Sequence, residues 1–160
     1  MKFDIFLKGK FVNLVVVNEK IMAKTEWYTW LNDQTITKFT KQGYFPVTKK
    51  EEVQYYKDTI KAKKRIQLGV IDKKRNKLIG MLSLYNINHI DGVCDISAIF
   101  NKNDKYINSM KFFNEAQTLL INHAFKKLNL RRIEASAYSK PVYEFNKKIF
   151  GFRCEGVLKE

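Results

Sequence analysis

Residues 94–100, CDISAIF, run into the polar loop NKNDKYINSMKFF at 101–113. The run NEAQTLLINHAFKKLNL at 114–130 and RRIEASAY at 131–138 complete the stretch that decides the fold. The first segment reads as a strand, and a long helix begins near Asn108, with Phe112, Phe113, Ala116, Leu119, Leu120, Ala124 and Leu128 on its inner side. A strand that feeds a helix through a polar loop aims backbone N–H groups at whatever lies before the helix start, and phosphates suit that position. Residues 132–138 then alternate, with Ile133, Ala135 and Ala137 on one face of a second strand. Pro141 suits the first turn of a helix reaching about Ile149, and after Gly151 residues 152–158 read as a closing strand.

Upstream, VNLVVV at 12–17 is a β-branched run and reads as the first strand. A helix over 24–31 carries Trp27, Trp30 and Leu31 on one side. Thr48 and Glu51 have the spacing of a capping box and open a helix to about residue 62, with Val53, Tyr56 and Ile60 at helical spacing. Residues 66–71 and 77–85 form an antiparallel hairpin across a Lys/Arg/Asn turn. A further turn at 89–92 leads into Val93–Phe100. The sum is an α+β fold over 1–160 as one domain: a mixed, mostly antiparallel sheet with helices on both faces.

Composition supports a packed domain. Hydrophobic residues make up 45% of the 160, while 7 Gly and 2 Pro are too few for a disordered chain. Cys94 and Cys154 form no CxxC pattern, which points to reduced thiols in a cytoplasm. Charges at Lys2, Asp4, Lys8 and Lys10 break up the N-terminus, so neither a spanning helix nor a signal peptide is expected there. The 30 Lys and Arg against 16 Asp and Glu give +14, which calls for an anionic partner or a solvated lysine surface. The basic clusters at 61–65 and 73–77 sit at ends of elements, and not on one helix face, which argues against nucleic acid.

Specific residues carry a resemblance across most of the chain. They are the WYTWLND segment at 27–33, GYFP at 43–46 and Leu78-Ile79-Gly80. Further along come Glu115-Ala116, Ala124-Phe125, and Gly151-Phe152 followed by Glu155-Gly156-Val157. In this order they resemble the GCN5-related N-acetyltransferases (GNAT), in the ribosomal-protein and amino-sugar branches. The resemblance implies acetyl-CoA as co-substrate, no metal, and direct transfer to the primary amine of a small, anionic acceptor. A nucleotide-linked amino sugar is the expected acceptor; a protein N-terminus, or a non-catalytic anion- or RNA-binding module on the same fold, is the alternative. It also implies a further strand after residue 158 that this sequence does not supply. An open sheet edge, a homodimer covering it and a shortened chain all stay open.

The same resemblance assigns the site. Backbone groups of Ala98, Ile99 and Phe100 would pair with pantetheine. The phosphate loop would be Lys105, Asn108, Ser109, Met110, Lys111, Phe112 and Phe113, with Lys111 and Phe113 near the family's usual glycines. Helix N–H groups and Lys102, Lys105 and Lys111 would then hold the phosphates. Asn146 and Lys147 stand closest to the family's acid tyrosine, and Tyr143, one turn earlier, is the candidate acid for the thiolate. Asp95 is the candidate base; His89, in a turn, is its rival. Trp27, Trp30, Tyr44, Phe45, Asn86 and His89 are candidates for the acceptor wall. Cys94 reads as a buried thiol and His123 as a packed helix residue.

Overall fold

The computed structural model describes residues 2–38, 40, 42–61, 65–104 and 110–157. Its six strands are β1 (Ile5–Lys8), β2 (Val12–Val16), β3 (Ile66–Asp72), β4 (Lys77–Asn88), β5 (Val93–Phe100) and β6 (Arg132–Glu134), in sheet order β1-β2-β3-β4-β5-β6. Every neighbouring pair is antiparallel except β5 and β6, which run parallel. The helices are α1 (Glu19–Lys24), α2 (Gln34–Thr37), α3 (Lys49–Lys61), α4 (Met110–Lys126) and α5 (Lys140–Phe150), with a 3-10 turn over Trp27–Leu31. Among the described residues no helix is long and apolar enough to cross a membrane.

Two apolar layers sandwich the sheet. On one face Val12, Leu14, Leu68, Val70, Leu82, Leu84 and Ile96 meet Phe112, Ala116, Leu120 and Ala124 of α4. On the other face Val15, Val17, Ile71, Leu78 and Met81 meet Ile21, Met22, Trp27, Trp30, Leu31, Ile36 and Tyr56. Side chains of a strand alternate between faces, so one extra residue exchanges the faces beyond it. Such a bulge occurs in β4: Val70 faces Gly80 and Ile71 faces Leu78, leaving Ile79 as the extra residue. It puts Ile79 on the α4 side with Leu82 and Leu84. Gly80 is required there, because a Cβ would lie 2.8 Å from the Phe100 ring and 2.9 Å from the Ile99 carbonyl oxygen.

Polar side chains fix the connections. The capping box forms as expected: Thr48 N donates to Glu51 Oε2 (2.8 Å) and Glu51 N donates to Thr48 Oγ1 (3.3 Å). Asp104, buried at the end of the turn after β5, accepts from both Arg75 Nη1 (2.8 Å) and Lys77 Nζ (3.1 Å). That tie sets the β3–β4 turn against the approach to α4.

Four sequence expectations are corrected. Residues 5–8 form an edge strand that the reading omitted; Leu7 packs against the core there while Ile5 and Phe6 are exposed, so its apolar residues do not keep to one buried face. The helix expected over 24–31 is only a 3-10 turn over Trp27–Leu31; α1 lies upstream of it, and Thr25, in extended backbone, closes α1 at Lys24. The strand expected over 132–138 ends at Glu134, where its pairing with Asp95 stops. Residues 152–157, expected as a strand, have no regular structure. They are held by side chains: Arg132 Nη1 donates to Glu155 Oε1 at 3.0 Å, with a second Arg132–Glu155 contact beside it.

Candidate active site

The parallel pairing of β5 and β6 covers only Val93↔Arg132, Cys94↔Ile133 and Asp95↔Glu134, while β5 stays paired with β4 as far as Phe100. Beyond Asp95 the two strands part. The β6-facing edge of residues 96–100 is therefore free of β6, and the chain from Ala135 to Ser139 forms the opposite wall of the gap. This gap opens into a cavity of about 860 Å³. Its lining joins Ile96–Phe100 of β5 to Met110, Phe113 and Gln117 of α4 and to Phe145 and Asn146 of α5. It then continues under the helical face to Trp27, Leu31, Ile36, Glu52, Tyr55 and Arg65.

The floor of that second chamber is a polar row across three strands. Gln67 faces Ser83 and Ser83 faces Ser97, and all three line the cavity. Adjacent strands lie about 4.8 Å apart, so the row spans roughly 10 Å from β3 to the free edge of β5. At its β3 end sits Arg65, whose guanidinium lies between two tyrosine rings, 5.8 Å from the Tyr55 centroid and 5.9 Å from that of Tyr85. Its Nη1 donates to the Tyr55 hydroxyl (2.7 Å) and its Nη2 to Ser83 Oγ (3.1 Å), while Nε is buried and bonds to no described residue. A guanidinium held on aromatic faces with donors left over is a preorganised anion contact.

Glu52 lines the same chamber at 8% exposure. Burial raises its carboxyl above the usual glutamate value, and the charge of Arg65 partly offsets that effect. Among the described residues its carboxylate accepts no hydrogen bond, whereas its neighbour Glu51 is consumed by the cap. One turn of α3 separates Glu52 from Tyr56, which anchors the helix by donating its hydroxyl to the Val17 carbonyl.

Several expected residues meet at this cavity. Ala98, Ile99, Phe100, Met110, Phe113 and Asn146 all line it, and the side-chain oxygen of Asn146 is buried without a partner among the described residues. Phe112 instead faces the core. Lys111 is exposed with its ammonium 5.0 Å from the Phe11 ring, and Lys147 lies over Tyr143 at 5.9 Å. Lys105, Asn108 and Ser109 lie outside the described residues.

Others are placed elsewhere. Asp95 accepts from Asn86 Nδ2 at 2.7 Å, and neither residue lines the cavity; nor does Tyr143. Tyr44 and Phe45 are 78% and 82% exposed, and His89 is exposed at the β4–β5 turn. Trp30 borders a smaller cavity of about 420 Å³ on the far side of Trp27. Cys94 is sealed in the core and its thiol is pushed up to about 11, first by burial and then by Asp95, so it is no nucleophile. His123 packs edge-on against Phe6, and burial, with Lys127 nearby, lowers its pKa.

The sequence reading missed Glu52, Arg65, Gln67 and Ser83. A signal for Glu52 was present: a carboxylate at i−4 from Tyr56 and i+1 from a capping glutamate falls on the helix's inner stripe. Ser83 and Gln67 carried none, since only strand register brings them into line.

Comparison with known proteins addresses the family and the fold. Residues 22–140 match the family model described as an acetyltransferase (GNAT) domain. The chain is 28% identical over 135 residues to "Uncharacterized N-acetyltransferase YnaD" of Bacillus subtilis (strain 168), covering 83% of this chain and 75% of that protein. Its fold is similar to spermidine N-acetyltransferase from Vibrio cholerae, crystallised with CoA and spermine. The TM-score is 0.78 at 19% identity, over 92% of this chain and 84% of that one. A GCN5-related N-acetyltransferase from Brucella melitensis gives a TM-score of 0.74 at 24% identity, over 98% and 70%. With a family match spanning most of its length, the chain belongs to the GNAT acetyltransferases.

Proposed function

We propose that this N-acetyltransferase moves an acetyl group from acetyl-CoA to the primary amine of an anionic acceptor, with a nucleotide-linked amino sugar as the best-fitting class. The observation that carries the reading is one continuous cavity that joins a free strand edge to a chamber holding a preorganised guanidinium. The free edge of residues 96–100 offers backbone donors and acceptors to an extended amide chain such as pantetheine. Asn146 fits the same ligand, since its orphaned oxygen can accept an amide N–H. Phe100, Phe113 and Phe145 meet edge-to-face in series, at 5.3 and 5.2 Å, and form an apolar wall suited to the ligand's alkyl segments.

Charge separates acceptor classes. Among the described residues the lining carries Arg65 and Lys102 against the single carboxylate of Glu52, and the whole chain stands at +14. That balance favours an acceptor bearing phosphate over a polycation such as the spermine bound by the Vibrio cholerae neighbour. The amine acceptor and the acyl donor meet at Ser97, where the polar row reaches the free edge, and transfer there needs no covalent enzyme intermediate.

Calorimetric titration with acetyl-CoA tests the donor; absence of binding at millimolar ligand would reject the reading. Thiol release is then followed with amino-sugar nucleotides, N-terminal peptides and spermidine. Turnover with amino-sugar nucleotides, with KM raised roughly tenfold or more by Arg65→Gln, is the expected pattern, since a lost charge-assisted contact is worth about 1.5–3 kcal/mol. A preference for spermidine would overturn the anionic acceptor.

A further inference from the structure

We infer that Glu52 is the group that takes the proton from the acceptor ammonium. The inference rests on the acetyl-transfer reading above and deepens it. It differs from the assignment of Asp95, whose carboxylate is engaged by Asn86 on a strand position outside the cavity.

Three observations place Glu52 in this role. Glu52 lines the acceptor chamber and is only 8% exposed overall. Its acceptor capacity is unspent, because no described donor reaches it. It shares the chamber with the polar row Gln67–Ser83–Ser97, which leads to the free edge of β5 where the thioester would lie. Among the described residues, the other titratable and charged groups lining the chamber are Tyr55 on α3, Arg65 before β3, Tyr85 on β4, Lys102 after β5 and Tyr138 beyond β6, and Glu52 is the only carboxylate. The bulky neighbours Trp27, Leu31 and Ile36 keep its surroundings apolar, which raises the carboxyl's proton affinity toward that of a working base.

The step balances as follows. The acceptor R–NH3+ gives one proton to the Glu52 carboxylate and becomes R–NH2. Its lone pair forms the N–C bond to the acetyl carbonyl carbon, and the C–S bond breaks with its electron pair going to sulfur. The nitrogen's surplus proton ends on that sulfur, yielding the amide and CoA thiol. Glu52 then returns its proton to water.

The test is Glu52→Gln, which keeps shape and removes basicity, with Glu52→Asp beside it and circular dichroism melts confirming that both fold. Wild-type kcat should fall on the acid side with an apparent pKa above that of ordinary glutamate. Gln should lower kcat about 10²–10⁴-fold, the usual contribution of general-base catalysis, with the acetyl-CoA affinity unchanged. Asp should restore part of kcat and the acid limb. If the Gln variant keeps kcat within about twofold and retains the limb, Glu52 is not the proton acceptor, although the acetyltransfer reading survives. If the wild type binds no acetyl-CoA or turns over no amine, both readings fall together.

Discussion

Glu115 of α4 accepts three backbone hydrogen bonds from the β1–β2 turn: Lys10 N at 2.5 Å, Phe11 N at 2.7 Å and Val12 N at 2.8 Å. Gly9 makes this approach possible, since a Cβ there would lie 2.8 Å from Glu115 Cδ and 2.6 Å from the Val12 carbonyl oxygen. One carboxylate therefore ties the first hairpin to the N-terminal half of the helix that frames the site. Replacing it by Ala removes charge-assisted bonds worth about 1.5–3 kcal/mol each in isolation. Two of the donors are exposed and can regain water, but Val12 N is partly buried in a fully buried residue and cannot do so freely. The expected net loss is therefore about 2–4 kcal/mol. For a domain of this size about 1 kcal/mol shifts Tm by roughly 2–4 °C, so Glu115→Ala should lower Tm by about 4–16 °C. Glu115→Gln, which keeps one acceptor oxygen and loses the charge, should fall between Ala and wild type. Urea unfolding at pH 7.5 supplies the free energies, with an unchanged m-value showing that the same surface unfolds. An Ala variant melting within about 1 °C of wild type would refute the idea that this carboxylate fastens the hairpin to the helix.

Three further outcomes follow from the same physical reasoning. Burial raises the Glu52 carboxyl in the folded state, so its contribution to stability is present below the unfolded pKa and lost as pH rises through the folded one. Glu52→Gln should therefore raise Tm at pH 7.5 and leave it near wild type at pH 4, as read by calorimetry; equal shifts at both pH values would contradict this. Gly80→Ala should force Phe100 or the Ile99 carbonyl aside, costing about 1–3 kcal/mol and raising KM for acetyl-CoA, as initial rates will show. Cys94→Ala should keep kcat, and an alkylating agent at pH 7.5 should leave the native enzyme's Cys94 unmodified by mass spectrometry, because the thiol is buried with its pKa near 11. Rapid loss of activity on alkylation of Cys94 would argue for a covalent role.

The sequence by itself determined the elements whose signals are local. The β-branched run at 12–17, the Thr48–Glu51 box, the strand Val93–Phe100 and the apolar stripe of α4 were all legible, because periodicity and capping depend on neighbours within a few residues. Their order was enough for the family resemblance, and it brought Ala98, Ile99, Phe100, Met110, Phe113 and Asn146 to one cavity. What it left open depends on distant pairing. The early parting of β5 and β6 follows from a ladder of three residue pairs, and the Gln67–Ser83–Ser97 row exists only through register across three strands. The bulge at Ile79 sets which β4 side chains face that row, and no local pattern announces it. Glu51 and Glu52 put the division most plainly. In the sequence they are two adjacent glutamates at the start of a helix; their fates part only when the helix docks on the sheet, turning one to its cap and burying the other in the chamber.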